Sequence, residues 1–272
     1  MEVRFWGVRG SIPVAGSHVL RTGGNTSCIE VVHDGHRLII DGGTGLRELG
    51  DAIGYQPVEL TVLFTHTHWD HIQGVPFFTP AYHAGSKLTF AGPTRDAGTL
   101  HDALATQMRP PTFPIQLDDL AAQIDYRAVG ESEELEIGPF RVRSVDLFHP
   151  DGVRAYRIEA GSRIFVHATD VEHGDTLDPR LIRFAEGADL LSHDAQYTRE
   201  EYLGMGGPSR RGWGHATWRD AVNVARSAGV QRLALFHHDP RRNDDGVDRI
   251  EAEARGAFAQ CFAAREGSPI SL

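Results

Sequence analysis

The chain has only two cysteines in 272 residues, Cys28 and Cys261, and no Cys-x-x-Cys pair. That count excludes a disulfide framework and a cysteine-bound zinc knuckle, and it suits a reducing compartment. No apolar run approaches the roughly 20 residues that span a membrane. Met1 to Gly7 hold no signal-peptide apolar core, so the expected location is cytoplasmic. Basic charge is scarce as well. A formal net charge of −10 makes a long nucleic acid an unlikely partner through bulk electrostatics, although a local basic patch escapes that argument. Linkers and simple repeats are also lacking. A hydrophobic share of 40% is ordinary for a globular protein, so one α/β domain over residues 1–272 is the simplest expectation.

What the chain does have is histidine, 15 in all. Three of them, with an aspartate, fall in one short turn, His66-Thr67-His68-Trp69-Asp70-His71. The preceding Thr61-Val62-Leu63-Phe64-Thr65 reads as a buried strand, being short, apolar and rich in β-branched and aromatic residues. In extended backbone His66 and His68 point the same way, and Asp70 and His71 follow once the chain turns. One tetrahedral zinc would not take so many donors from one loop, which predicts two metals.

The pattern recurs along the chain. Leu38-Ile39-Ile40 leads to Asp41, Val145–Phe148 to His149, Ile164–Ala168 to Asp170, Asp189–Leu191 to His193 and Asp194, and Leu233–Phe236 to His237 and His238. Strands of an α/β sheet end on a common edge, where sites collect. Six such endings predict one shared pocket. Of the adjacent pair, His237 directly follows its strand and is favoured, with His238 as its competitor. Asp170 competes with the reading of a plain turn residue. His167 and His193 read as packed or surface histidines, and His18, His33, His36, His83, His101 and His173 carry no assignment.

Between these endings, Val3–Trp6 reads as a strand and 7–25 as a Gly-rich loop. Ser27–His33 and His36–Ile40 form a hairpin through Asp34-Gly35. Helices are expected over Leu46–Ile53, from near Ile72, over Thr94–Met108 with Thr94 or Asp96 as cap, over Thr217–Ala228, and over Val247–Phe262. Lys87–Ala91 and Arg232–Phe236 are expected strands. Arg109-Pro110-Pro111-Thr112-Phe113-Pro114 breaks regular structure and is either a loop near the site or a plain connector.

The His66–His71 turn and the strand endings resemble the metallo-β-lactamase superfamily of dinuclear metal hydrolases over nearly the whole chain. The resemblance implies an αββα sandwich, two mixed β-sheets face to face with helices outside. It implies His66, His68 and His149 as ligands of a first metal and Asp70, His71 and His237 as ligands of a second. Asp170 would bridge them, and Asp41 would brace the ligand loops without binding metal. The expected metals are two divalent ions, zinc first and manganese or iron as alternatives, since imidazole and carboxylate donors suit all three and availability in the cell often decides. Relatives often dimerise, so a homodimer is a possible assembly.

Fold and metals do not give the substrate. Gly212-Trp213-Gly214-His215-Ala216-Thr217 opens a helix leading to His237, and Ser192–Tyr197 supplies Asp194. With Trp6–Pro13 and Gly24–Ser27, these segments are similar to the phosphodiesterase branch, which includes tRNA 3′-end ribonucleases and cyclic-phosphate phosphodiesterases. There the matching carboxylate pairs with the matching histidine. Taken alone, His215 would be a solvated helix-start residue. Arg210 and Arg211 are either a local phosphate patch or a solvated basic loop. The chain departs from the tRNA enzymes in lacking a Lys/Arg-rich arm, and from some cyclic-phosphate enzymes in lacking a cysteine-bound zinc. The expectation is therefore hydrolysis of a small or cyclic phosphodiester by a hydroxide shared between the two metals. Asp70, Asp194 and His215 are the expected catalytic residues. A lactonase, thioesterase or β-lactamase-type hydrolase is the alternative, followed by a metal-bound sensor without turnover. The superfamily's oxygen-reducing iron variant is set aside, because it carries a carboxylate at the position of His68 and a flavin domain.

Overall fold

The computed structural model describes residues 1–94, 98–267 and 269–272. Among them are two seven-stranded mixed sheets. The first holds β1 (Glu2–Gly7), β2 (Cys28–His33), β3 (His36–Ile40), β4 (Glu59–Leu63), β5 (Lys87–Gly92) and β6 (Gln123–Ala128). The second holds β7 (Glu134–Ile137), β8 (Phe140–Leu147), β9 (Val153–Ala160), β10 (Arg163–Ala168), β11 (Leu190–Asp194), β12 (Arg232–Phe236) and β13 (Cys261–Ala263). A last strand, β14 (Ile270–Ser271), returns to the first sheet and pairs antiparallel with β1. Strands β3 to β6 run parallel, as do β10 to β13, while β1–β3 and β7–β10 are antiparallel.

The alternation of side chains along each strand sorts the core into layers. Leu38 and Ile40 of β3 face the second sheet and meet Phe165, Leu190 and Phe236, while Ile39 faces outward. Outside the first sheet lie α1 (Thr44–Ile53) and α3 (Leu100–Gln107), whose Leu46, Leu49, Leu100 and Leu104 pack on Ile39, Val62 and Phe90. The one-turn α2 (Trp69–Ile72) sits between these two in sequence. Outside the second sheet lie α4 (Pro179–Phe184), α6 (Trp218–Ser227) and α7 (Asp244–Ala257), packed through Leu181, Ala221, Val224, Ile250 and Ala254. The short α5 (Arg199–Leu203) precedes α6. This is the expected αββα sandwich. No described helix is long and apolar enough to cross a membrane.

Several boundaries differ from the sequence reading, each for a local reason. Strand β4 spans Glu59–Leu63 and not 61–65, because at Thr65 the backbone N–H leaves the ladder and donates to the Asp41 carboxylate at 2.9 Å. Helix α3 starts at Leu100, where Thr99 and Asp102 form a reciprocal capping box, so Thr94 is not the cap. The other cap candidate, Asp96, lies outside the described residues. Helix α7 begins at Asp244 under an Asn243 cap and ends at Ala257, and Cys261–Ala263 pairs with β12 as a strand.

Candidate metal centre

The strand endings converge as the spacing predicts. Asp41 follows β3, His66 follows β4, His149 follows β8, Asp170 follows β10, and His237 follows β12. Three of these residues, Asp41, Asp170 and His237, have φ of 64°, 50° and 61°. This left-handed backbone is uncommon for residues with a Cβ and collects at functional sites. At each point it turns the chain out of the sheet, aiming Asp170 and His237 into the shared pocket and Asp41 at the turn behind it.

Three groups of donors result among the described residues: one joins Asp170, Asp194, His215 and His237, and the other two are built on the His66–His71 turn. Ligand atoms of His66, His68, His149 and Asp170 lie within 4.8 Å of one another, as do those of Asp70, His71, Asp170 and His237. Asp170 belongs to all three. Its Oδ1 lies 3.1 Å from His237 Nε2 and 3.3 Å from His71 Nε2, and its Oδ2 lies 3.7 Å from Nε2 of both His66 and His149. Each residue that the resemblance implied as a ligand therefore lies in the donor group expected for it.

The far side of each imidazole shows how it is meant to be used. His71 Nδ1 donates to Asp41 Oδ2 at 2.7 Å, His149 Nδ1 to the Gly214 carbonyl at 2.8 Å, and His237 Nδ1 to Gln196 Oε1 at 2.9 Å. The Thr65 hydroxyl gives its proton to Asp41 and so accepts from His66 Nδ1 at 3.1 Å. With every Nδ1 proton committed outward, each Nε2 presents its lone pair to the centre, as metal-ligating histidines do. Nε2 of His66 and of His71 are buried without a hydrogen-bond partner. His68 contributes its Nδ1 instead, 3.0 Å from His149 Nε2. Converging bare nitrogens and two buried carboxylates are what a pair of divalent cations would satisfy, so the residues fit the group. Burial alone would raise the Asp70 and Asp170 pKa values, but the surrounding imidazoles hold both well below the usual carboxylate range.

Asp41 does not face the clusters. It accepts from Ser27 Oγ at 2.8 Å, from the Thr65 N–H and hydroxyl, and from His71, which makes it a brace for the turn. The choice between His237 and His238 is also resolved: His238 Nε2 donates to the Ala264 carbonyl at 3.0 Å, and burial pushes its pKa down to about 3. His167 is wholly buried between Phe165 and Phe236, and His193 is buried against His173, with Nε2 atoms 3.2 Å apart. Arg210 stacks on Trp213 at 4.3 Å, and Arg211 pairs with Asp175 at 3.3 Å. The geometry thus gives these arginines protein partners.

Asp194 and His215 meet as expected, with His215 Nδ1 donating to Asp194 Oδ2 at 2.9 Å. The His215 ring stacks on His237 at 5.0 Å, and its Nδ1 is 3.9 Å from Asp170 Oδ2. Asp194 is fully buried and also accepts the N–H groups of Asp170, Gln196 and Ala216. Burial pulls the His215 pKa down, but the Asp194 carboxylate outweighs it and lifts the value to about 9. In the metal-free protein His215 should therefore stay protonated at neutral pH. The stability this charge contributes is complete below the ordinary pKa of 6.5 and is lost as pH rises through about 9. An NMR titration of the imidazole should find that midpoint, and Asp194→Asn should lower it, since only Asp170 and Asp70 then oppose burial. A midpoint that Asp194→Asn leaves in place would refute the pairing.

Sequence reasoning missed the supporting residues. The Ser11 N–H donates to Asp70 Oδ2 at 2.6 Å, and Gln196 orients His237. Glu172 accepts the N–H groups of Gly212 and Gly214, both at 2.8 Å, and the Tyr202 hydroxyl at 2.6 Å. It thereby fixes the loop that carries the Gly214 carbonyl and His215. Gly214 has φ of 88°, and a Cβ there would collide with the His149 ring, so only glycine lets this loop close over the ligand.

Known proteins are similar to this chain along its length. A ribonuclease Z of Gemmatimonas aurantiaca is 27% identical, with the alignment covering 99% of this chain and 95% of that protein. The metallo-beta-lactamase fold protein YhfI of Bacillus subtilis superposes with a TM-score of 0.73 at 22% identity, over 99% of this chain and 98% of its own. Zn2+-bound PqqB of Methylobacterium extorquens superposes with a TM-score of 0.74 at 16% identity, over the full length of both chains. The model of the beta-lactamase superfamily domain matches residues 36–238, the stretch that holds Asp41, both donor clusters and the Asp194–His215 pair, and so the chain belongs to the beta-lactamase superfamily.

Proposed function

We propose that the chain is a two-metal phosphodiester hydrolase acting on a small or cyclic phosphodiester. The observation that carries this reading is the Asp194–His215 pair set against both donor clusters. Two divalent cations, zinc by preference, would supply Lewis-acid polarisation of the phosphoryl oxygens and a water acidified towards neutral pH. The chain's own groups do the rest. Asp170 and Asp70 offset the cations' charge, and the outward Nδ1 bonds hold the imidazoles in register. His215 keeps its Nδ1 on Asp194, so Nε2 is the proton it offers. In its protonated form His215 can donate that Nε2–H to charge growing on a non-bridging oxygen and then to the leaving alkoxide.

The net charge of −10 and the lack of a basic arm favour a small substrate. A second reading, cleavage of an RNA, is favoured by relatives named ribonuclease Z that align along nearly their whole length. Elemental analysis combined with a substrate panel tests the proposal. The purified protein should carry about two divalent cations per chain. It should hydrolyse bis(p-nitrophenyl) phosphate or a cyclic nucleotide in preference to a lactone, thioester or β-lactam. Chelation should abolish the activity, and added zinc or manganese should restore it. Turnover of lactones or thioesters with none of any diester would reject the phosphodiesterase reading, and activity that survives full metal removal would reject the metals.

A further inference from the structure

Trp69 sits in sequence between two metal-cluster residues, His68 and Asp70, yet its side chain is 60% exposed. It lines a cavity of about 730 Å³ together with Phe77, itself 55% exposed, and Phe113. The Phe77 and Phe113 rings meet edge to face at 5.7 Å. This gives the Arg109–Pro114 segment a place: it brings Phe113 to a wall of the cavity. Two lining residues are close chain neighbours of groups at the metal centre. Trp69 directly precedes Asp70, and Pro13, on another wall, lies two residues beyond Ser11, whose N–H holds the Asp70 carboxylate.

The lining has a chemical character of its own. Although the chain is strongly acidic, none of the described lining residues is an aspartate or glutamate, and the one charged member is Arg47. An anionic ligand is therefore not repelled. Gln73 and Gln107 add neutral amides, whose nitrogens are held by Thr26 and by the Ile72 carbonyl. Exposed aromatic faces, a neutral polar edge and a size within the usual range for a small-molecule pocket suit a flat heteroaromatic group better than an alkyl chain.

We propose that this cavity receives a nucleobase of the diester, stacked against Trp69 and edged by Phe77 and Phe113, while the phosphate lies at the donor clusters. The inference rests on the phosphodiester reading and narrows its substrate class to a nucleotide diester. Aromatic stacking of this kind is sequence-tolerant, and its loss typically weakens binding by about tenfold or more.

Equilibrium dialysis on the zinc-loaded protein tests it, with adenosine and uridine 5′-monophosphates compared against ribose 5-phosphate. At least one nucleotide should bind tenfold or more tightly than the sugar phosphate. Phe77→Ala and Trp69→Ala should each remove most of that difference while leaving ribose 5-phosphate binding unchanged. Phe77 is no neighbour of a donor in sequence, so its variant stays decisive even if Trp69→Ala disturbs the turn, and metal content is measured in both. Equal affinities in the parent protein, or equal losses for nucleotide and sugar phosphate in the Phe77 variant, would overturn the assignment. The two readings fail separately. Cleavage of methyl p-nitrophenyl phosphate by a protein with no base preference keeps the phosphodiesterase and removes the subsite. Base-dependent binding without diester cleavage does the reverse.

Discussion

Asp170→Asn is expected to leave the fold intact, to lower metal content well below that of the parent, and to cut turnover by on the order of 10⁴-fold. Asparagine is the informative replacement because it keeps the shape of aspartate and tolerates the left-handed backbone at φ of 50°. The negative charge is removed, and one of the two acceptor oxygens becomes an amide N–H donor. That charge stands within 3.1 to 3.7 Å of Nε2 of His66, His71, His149 and His237, so it is the one group common to the two donor sets. Without it, two cations would face mainly neutral imidazoles and the single carboxylate of Asp70. Elemental analysis and single-turnover kinetics on the same preparation check this result. Full occupancy of both positions with parental turnover would sink the two-metal assignment.

His215→Gln should behave differently. Its ring is stacked beside His237 and held by Asp194, in a donor group with Asp170 that is separate from the two built on the His66–His71 turn, and its Nδ1 is already taken by Asp194. Metal content should therefore persist while phosphodiester turnover falls by roughly 10²–10⁴-fold, the range for losing a positioned proton donor. The loss should appear in kcat more than in KM, because the proton matters most as charge moves to the leaving oxygen. A substrate whose leaving group needs no proton, such as a p-nitrophenyl ester, should lose much less than an alkyl diester. An equal, small effect on both would remove His215 from the chemistry and with it the main support for a phosphodiester substrate.

The residues of the candidate donor groups were legible in the sequence because each is tied to a local signal. An apolar run that ends in a histidine or aspartate is visible in a window of a few residues, and the fold brings those ends together. The supporting network has no such signal. Ser11 reaches Asp70 across 59 positions, Gln196 reaches His237 across 41, and Glu172 reaches Gly214 across 42. Nothing near Glu172 in sequence marks it as the anchor of the loop before His215. The His237–His238 ambiguity had the same origin. Both residues follow one strand, and only the left-handed turn at His237 and the distant Ala264 carbonyl decide which imidazole enters the site. The late start of α3 came from capping chemistry at Thr99 and Asp102 that competes with an upstream threonine of equal intrinsic promise.

A left-handed turn costs a residue with a Cβ up to roughly 1–2 kcal/mol, and less for aspartate, so the turns at Asp41, Asp170 and His237 carry a smaller cost each. That cost still counts against the roughly 5–15 kcal/mol that holds an ordinary domain folded. A cation present at about a thousand times its Kd would restore roughly 4 kcal/mol. The loaded and bare chains should then differ in lifetime as well as in chemistry. In a metal-starved cell the bare form would open more often and be degraded sooner. Metal supply would set how much of this protein a cell keeps, before it sets how fast any molecule of it works.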